Sequence, residues 1–328
     1  MKTGIDFVGR RRHRWAARTL GVAGLLAAAV ASAQAPPASQ SQSQSQSAFG
    51  AMLLDPGSFA RNAGPVVVPP GVRRLADIAY GPAPRQRMDV YLPARPDHAP
   101  ILLMVHGGAW MIGNKAMPPV VNEKIAHWVR DRGFILVSTN YRLVPEVDPL
   151  TQAQDVALAM AAVQASAASW GGDAKRLVLM GHSAGAHLVA LLSANPALAE
   201  AQGARRWRGT VVLDSAALDA EGLMQRRHPR FYDRAFGNDP GRWRAASPTA
   251  QLGTGTAALP MLLVCSTQRP DHSCEQSDSF ARRVQSVGGV ARVLPKDLSH
   301  AQINGELGLA GDYTDAVDAI IASLLDRS

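Results

Sequence analysis

Two cysteines in 328 residues allow one disulfide at most, and no Cys or His spacing of the zinc-site kind accompanies them. Long apolar runs are also missing. The one run of note, Leu20 to Ala33, has 14 residues and is too short for a permanent bilayer-spanning helix. Nucleic-acid features are absent too: there is no recognition helix and no strand pair that interleaves aromatic with basic residues. The formal charge of +8 does not replace them, because it is concentrated in one segment.

That segment is the beginning of the chain. Lys2, Arg10, Arg11, Arg12, Arg14 and Arg18 precede the apolar run, which ends in Ala33-Gln34-Ala35. This is the layout of an export signal over residues 1–35, cleaved after Ala35. The general secretory route is favoured; Arg11-Arg12 suggests twin-arginine export, but Arg14-Trp15 suits that motif poorly. The leader holds six Lys/Arg and one Asp, five of the eight net charges, so the mature chain carries +3. Residues 36–60 open with Pro-Pro and continue as alternating Ser and Gln, a linker with nothing to bury. Residues 61–328 have the size of one domain with a full core. The expected location is periplasmic or secreted. In that setting Cys265 and Cys274, nine residues apart, are expected to form a disulfide.

Beyond residue 70 strand-like and helix-like stretches alternate. An opening hairpin is expected over 72–80 and 85–92. Buried strands follow at 101–105, 134–138, 176–180, 210–213, 259–266 and 290–294, and helices at 119–131, 151–169, 186–192, 276–287 and 312–326. This order predicts an α/β fold with a mostly parallel sheet covered by helices on both faces. Residues 219–258 break the alternation with Arg226-Arg-His-Pro-Arg-Phe-Tyr232 and Arg242-Trp-Arg244, which makes them either a small cap over the active site or a solvated excursion. Asp312, Asp315 and Asp318 share a helix face, but without a His or a Gly-rich turn they read as a solvated face and not a metal site.

In open parallel sheets chemistry gathers at the carboxyl ends of strands. At one such end lies Gly181-His-Ser-Ala-Gly185, a strand-to-helix turn in which flanking glycines let a serine project clear of its backbone. Ser183 is the expected nucleophile. The expected base is His300, just after the last strand. His106, His182 and His187 have other positions in turn or helix, and His98, His127, His228 and His272 read as surface or cap residues. The expected acid is Asp271, the first carboxylate after the preceding strand, with Glu275 and Asp278 as alternatives at a helix start. Ser, Asp, His is the chain order of one hydrolase fold. For the oxyanion, backbone N–H groups are expected from Ala184 and from the turn His106-Gly-Gly-Ala-Trp110, with Gly108 foremost and Gly107 or Ala109 beside it.

With His106–Trp110, Gly113-Asn114-Lys115, Asn140-Tyr-Arg-Leu-Val-Pro145 and Gly181–Gly185 in place, residues 72–326 resemble the α/β-hydrolases. The likeness is to the hormone-sensitive-lipase-like and feruloyl-esterase-like carboxylesterases. Asn114 stands where these enzymes usually carry an acid, and Ala109 where many have a third glycine. The resemblance implies hydrolysis of a small-molecule carboxylic ester, short-chain or aryl, through a Ser-His-Asp triad and an acyl-enzyme intermediate, with no metal or cofactor. Kynurenine formamidases share the motifs, so a formamidase or amidase is the alternative. A non-catalytic binding protein on the same fold is a third reading, which the complete residue set disfavours.

Overall fold

The structure, a computed structural model, describes residues 64–254 and 257–326. The expected leader over 1–35 and linker over 36–60 lie outside the described residues. Among the described residues eight strands form one sheet: β1 Arg73–Ala79, β2 Arg87–Leu92, β3 Ala99–Val105, β4 Ile135–Thr139, β5 Gly172–His182, β6 Gly209–Leu213, β7 Met261–Ser266 and β8 Ala291–Lys296. Their spatial order is β1-β2-β4-β3-β5-β6-β7-β8. The β1–β2 and β2–β4 pairs are antiparallel, and every pair from β4–β3 to β7–β8 is parallel. The α/β fold with a mostly parallel sheet is therefore present.

The buried stretches of the central strands, Ile101–Val105, Ile135–Val137, Leu177–Met180 and Met261–Val264, are continuously apolar because both faces are covered. Leu103 and Val105 of β3, Leu179 of β5 and Leu263 of β7 pack on one side with helices Pro149–Ser166 and Ala184–Ala194. Leu102 and Met104, Val178 and Met180, and Val264 pack on the other with Val121, Trp128, Val317 and Ile321. With successive residues pointing to opposite faces, a half-exposed strand would alternate with polar residues, and these do not. Helix Pro149–Ser166 starts where the sequence says it can: Asp148 accepts a hydrogen bond from the Thr151 N–H at 2.8 Å, and Pro149 occupies the first turn.

Three local features differ from the sequence expectation. The helix expected over 119–131 is α-helical only from Pro118 to Lys124 and continues as a π turn over Ile125–Asp131. A short helix, His300–Gly305, follows β8, its N-terminus capped by Ser299 in a reciprocal pair with Gln302. On the final helix, Asp312–Leu325, the carboxylate of Asp318 is not solvated. It accepts from Trp128 Nε1 at 2.9 Å and His127 Nε2 at 2.7 Å, and pairs with Arg132 at 2.7 Å. Among the described residues no cluster of His, Cys, Asp and Glu could hold a metal ion, and no helix is long and apolar enough to cross a membrane.

Candidate active site

Ser183 sits between the end of β5 and helix Ala184–Ala194, with φ 56° and ψ −118°. For a residue with a Cβ this is a strained conformation, costing about 1–3 kcal/mol, that persists only where the surroundings impose it. The surroundings do impose it here. A Cβ on Gly185 would fall 2.3 Å from the Val105 carbonyl oxygen, and one on Gly181 would fall 2.4 Å from that of Gly185. Strand β3, the turn and the helix therefore close on one another only through glycine. The Ser183 N–H donates to the Leu213 carbonyl at 2.9 Å, which fastens the turn to the end of β6.

The loop after β3 lies against this turn. Gly107 is beside Ser183, a Cβ there being 2.9 Å from that of the serine. Gly108, Ala109 and Trp110 all have positive φ, at 120°, 49° and 63°, and the Gly108 carbonyl accepts from the N–H groups of Met111 and Ile112 at 3.0 Å each. The polar residues around the loop act as its frame. The Asn140 carboxamide accepts from the Lys115 N–H at 2.6 Å, the Tyr141 hydroxyl donates to the His106 carbonyl at 3.0 Å, and the Lys115 ammonium pairs with Asp89 at 2.7 Å. His106 stacks on Tyr141 with ring centroids 4.5 Å apart, and burial pushes its pKa down to about 4. It is a neutral packing residue.

Of the four oxyanion candidates, Ala109 and Ala184 line the same small cavity as Ser183, with Gly107 and Gly108 behind them. As the first residue of its helix, Ala184 has an N–H that no intrahelical carbonyl can reach. The cavity, partly open to solvent, has a volume of about 20 Å³ and is completed by Trp110, Ser215, Ala216, Phe231, Tyr232 and Arg269. Phe231 and Tyr232 come from the segment 219–258, whose described residues include the short helices Ala220–Met224, Arg230–Phe236, Pro240–Ala245 and Pro248–Gln251. His187 ties this segment to the loop after β3. Its Nδ1 accepts from Trp110 Nε1 at 3.2 Å and its Nε2–H donates to the Ala246 carbonyl at 2.7 Å. Burial holds the His187 pKa down at about 4, in keeping with that neutral tautomer.

His300 is buried, and its Nδ1 lies 2.6 Å from a carboxylate oxygen. That carboxylate belongs to Asp214, the first residue after β6, and not to Asp271. The expectation for the acid is thus corrected. Asp271 instead grips Arg269 with both oxygens, at 2.9 Å to Nε and 2.6 Å to Nη2. The alternatives Glu275 and Asp278 are exposed on helix Ser273–Ser286, and Glu275 pairs with His272 at 3.4 Å. Strands β6 and β7 run parallel in register, Leu213 beside Val264, so a carboxylate at either carboxyl end can approach the residue after β8. Sequence reasoning missed Asp214, although it obeys the same rule of first carboxylate after a strand.

Asp214 is fully buried, at φ 57°, and is surrounded by donors. One oxygen accepts from the Ser266 N–H at 2.9 Å and the Ser273 hydroxyl at 2.8 Å; the other takes His300 and stands 3.1 Å from Arg269 Nη1. Burial by itself would raise its pKa, but the hydrogen bond from His300 and the charge of Arg269 outweigh it and hold the carboxyl well below the usual range. Arg269 Nη1 also lies 3.1 Å from His300 Nδ1. Since Nδ1 cannot both accept from Arg269 and donate to Asp214, the shorter contact assigns the proton to Nδ1, donated to Asp214. The opposing Arg269 contact is electrostatic. His182, the residue before the serine, donates from Nε2 to the His300 carbonyl at 2.9 Å. Among the described residues the Ser183 hydroxyl has no hydrogen bond to His300. Cys265 and Cys274 are joined, closing the loop between β7 and helix Ser273–Ser286.

With this geometry established, known proteins provide comparison. The family model described as BD-FAE matches residues 88–210. Isoprenylcysteine alpha-carbonyl methylesterase of Arabidopsis thaliana is 28% identical over 292 residues, covering 83% of this chain and 66% of that protein. Esterase LipQ of Mycobacterium tuberculosis is 32% identical over 253 residues, covering 70% of this chain and 58% of its own. The chain thus spans less than two thirds of the length of either relative. Among solved structures, esterase B of Lactobacillus rhamnosis superposes with a TM-score of 0.66 at 18% identity, covering 86% of this chain and 93% of that one. Thermogutta terrifontis esterase 2 gives 0.61 at 21% identity, covering 78% and 95%. At such identities the likeness is one of fold.

Proposed function

We infer that this chain, an α/β-hydrolase of the carboxylesterase type, is an exported serine hydrolase that cleaves short-chain carboxylic esters. The observation that carries the reading is the strained Ser183, which shares a cavity with the Ala109 and Ala184 backbones beside the His300–Asp214 pair. In the proposed reaction the Ser183 Oγ attacks the ester carbonyl while His300 Nε2, the nitrogen left by the Nδ1–Asp214 bond, takes its proton. The Ser183–His300 contact forms on the way to reaction, as such contacts commonly do. N–H groups of Ala184 and the Gly108-Ala109 turn receive the developing oxyanion. His300 then protonates the departing alcohol, and water, activated by the same ring, releases the acid from Ser183.

Export rests on the leader, and the Cys265–Cys274 bond is consistent with an oxidising compartment. Short-chain preference rests on the cavity. At about 20 Å³ it has room for one or two waters, and its walls are the mutually packed rings of Trp110, Phe231 and Tyr232.

A fluorophosphonate probe is expected to label the protein at one residue, Ser183, and to abolish hydrolysis of p-nitrophenyl acetate in proportion. Labelling without loss of hydrolysis would refute the mechanism, and turnover of formamides in preference to esters would shift the reading to an amidase. Across a p-nitrophenyl series, kcat/KM for the acetate is expected to exceed that for the octanoate at least tenfold. Phe231→Ala is expected to narrow that gap, since it opens the cavity wall. A wild-type optimum at eight carbons would exclude the cavity as the acyl site.

A further inference from the structure

The loop between β7 and helix Ser273–Ser286 is closed at its two ends by the Cys265–Cys274 bond, and its groups converge on a carboxylate from the loop after β6. Three of its groups reach Asp214: the Ser266 N–H at 2.9 Å, the Ser273 hydroxyl at 2.8 Å and the Arg269 guanidinium at 3.1 Å. Arg269 Nη1 also donates to the Asp214 carbonyl at 2.7 Å. Arg269 is buried, 7% exposed, and the far edge of its guanidinium is gripped by both oxygens of Asp271. The result is a linear arrangement of charges: Asp271, Arg269, then the Asp214–His300 pair.

We propose that Arg269, oriented by Asp271, is a positioning residue that fixes Asp214 against His300 and restrains the protonation of that ring. This rests on the triad reading given above and deepens it. A buried cation at 3.1 Å from His300 Nδ1 disfavours the imidazolium, while Asp214 at 2.6 Å favours it, so the basicity of the ring is set by their balance. Asp271 moderates the opposing cation, because it neutralises part of the guanidinium field and holds its plane so that Nη1 points at Asp214. The bidentate grip also gives arginine a geometry that lysine lacks.

Other charged or titratable groups face this pair from each neighbouring element. His182 at the end of β5 has its ring 4.5 Å from that of His300, and is held neutral chiefly by burial. Lys124, on helix Pro118–Lys124, donates to the Asn304 carbonyl at 2.7 Å, behind the His300 helix. Tyr313 of the final helix interacts with Asp214, and Tyr232 with Asp271 and Arg269. Substitutions at Arg269 and Asp271 leave all of these in place, so the two changes in charge have opposite and separable signs.

The test reads the His300 titration directly, by NMR of the histidine Cε1–H groups in the full folded chain, with His300→Gln to assign the signal. Removing the cation, Arg269→Gln, is expected to raise the titration midpoint by about one pH unit. Removing its counter-charge, Asp271→Asn, is expected to lower it by several tenths, and the double variant to keep a net rise no larger than that of Arg269→Gln alone. The acidic limb of kcat/KM for p-nitrophenyl acetate should move in the same directions. A lower rate with an unmoved midpoint, or shifts of the same sign in both variants, would overturn the proposal, since a merely structural loop predicts either. If Arg269→Gln does not fold, Asp271→Asn decides alone: a midpoint that stays or rises refutes. Because the NMR midpoint does not require turnover, an absence of Ser183-dependent esterase activity would refute the functional reading and leave this measurement decisive for the charge arrangement.

Discussion

Ser183→Ala is expected to lower kcat for p-nitrophenyl acetate by about six orders of magnitude, down to a residue of catalysis supplied by binding and the oxyanion donors. The effect is that large because Ser183 alone supplies the covalent bond, and its neighbours along the chain, His182 and Ala184, offer no second nucleophile. Stability should not follow activity. Alanine inherits the backbone at φ 56° and ψ −118°, so the turn stays strained and the thermal midpoint stays near that of the wild type. Ser183→Gly separates the two properties further. It removes the Cβ from a conformation that glycine tolerates, and should stabilise the fold by about 1 kcal/mol while remaining as inactive as the alanine variant. An ester assay with thermal unfolding on both variants checks this; turnover within tenfold of wild type in either would remove Ser183 from the role of nucleophile.

The legible parts of the molecule were those set by burial on both faces and by backbone constraint. Ile101–Val105 and Phe134–Ser138 read as strands because no polar residue interrupts them, and the sheet buries both of their faces. The serine turn was legible because two glycines are needed for β3, the turn and the helix to meet. The acid was not legible, and the order rule could not have helped. Ser183, Asp214, His300 and Ser183, Asp271, His300 run in the same sequence order, so the choice depends on which strand end lies nearer His300. That is a property of the paired ends of β6 and β7. A local signal existed in Arg269, two residues before Asp271: an arginine so placed can claim the carboxylate, and here it does. Asp318 was misread for a related reason. Helical spacing places it on a face with Asp312 and Asp315, while its partners Trp128 and His127 come from a π turn some 190 residues earlier.

Asp214→Asn should lower kcat about 10⁴-fold, whereas Asp271→Asn should leave the plateau rate within tenfold of wild type. The difference follows from what each carboxylate touches. Asp214 accepts the His300 Nδ1 proton at 2.6 Å and so leaves Nε2 unprotonated, ready to act as base. An asparagine can offer its N–H to Nδ1, which favours the opposite tautomer with the proton already on Nε2, and it carries no charge to stabilise the imidazolium. Asp271 touches Arg269 and not the ring, so its loss changes basicity without changing the tautomer. Stability adds an independent check. The Asp214 carboxyl is held below its usual range in the folded chain, against an unfolded value of about 3.9. Its contribution is therefore present above about pH 4 and is lost as pH falls towards the folded value. The wild type should be more stable than Asp214→Asn at pH 7, and the gap should narrow in acid below pH 4. Denaturant unfolding at pH 7 and pH 3 measures that gap. A constant gap would mean that Asp214 contributes by packing and not by charge, and a large rate loss confined to Asp271→Asn would return the acid to the loop after β7.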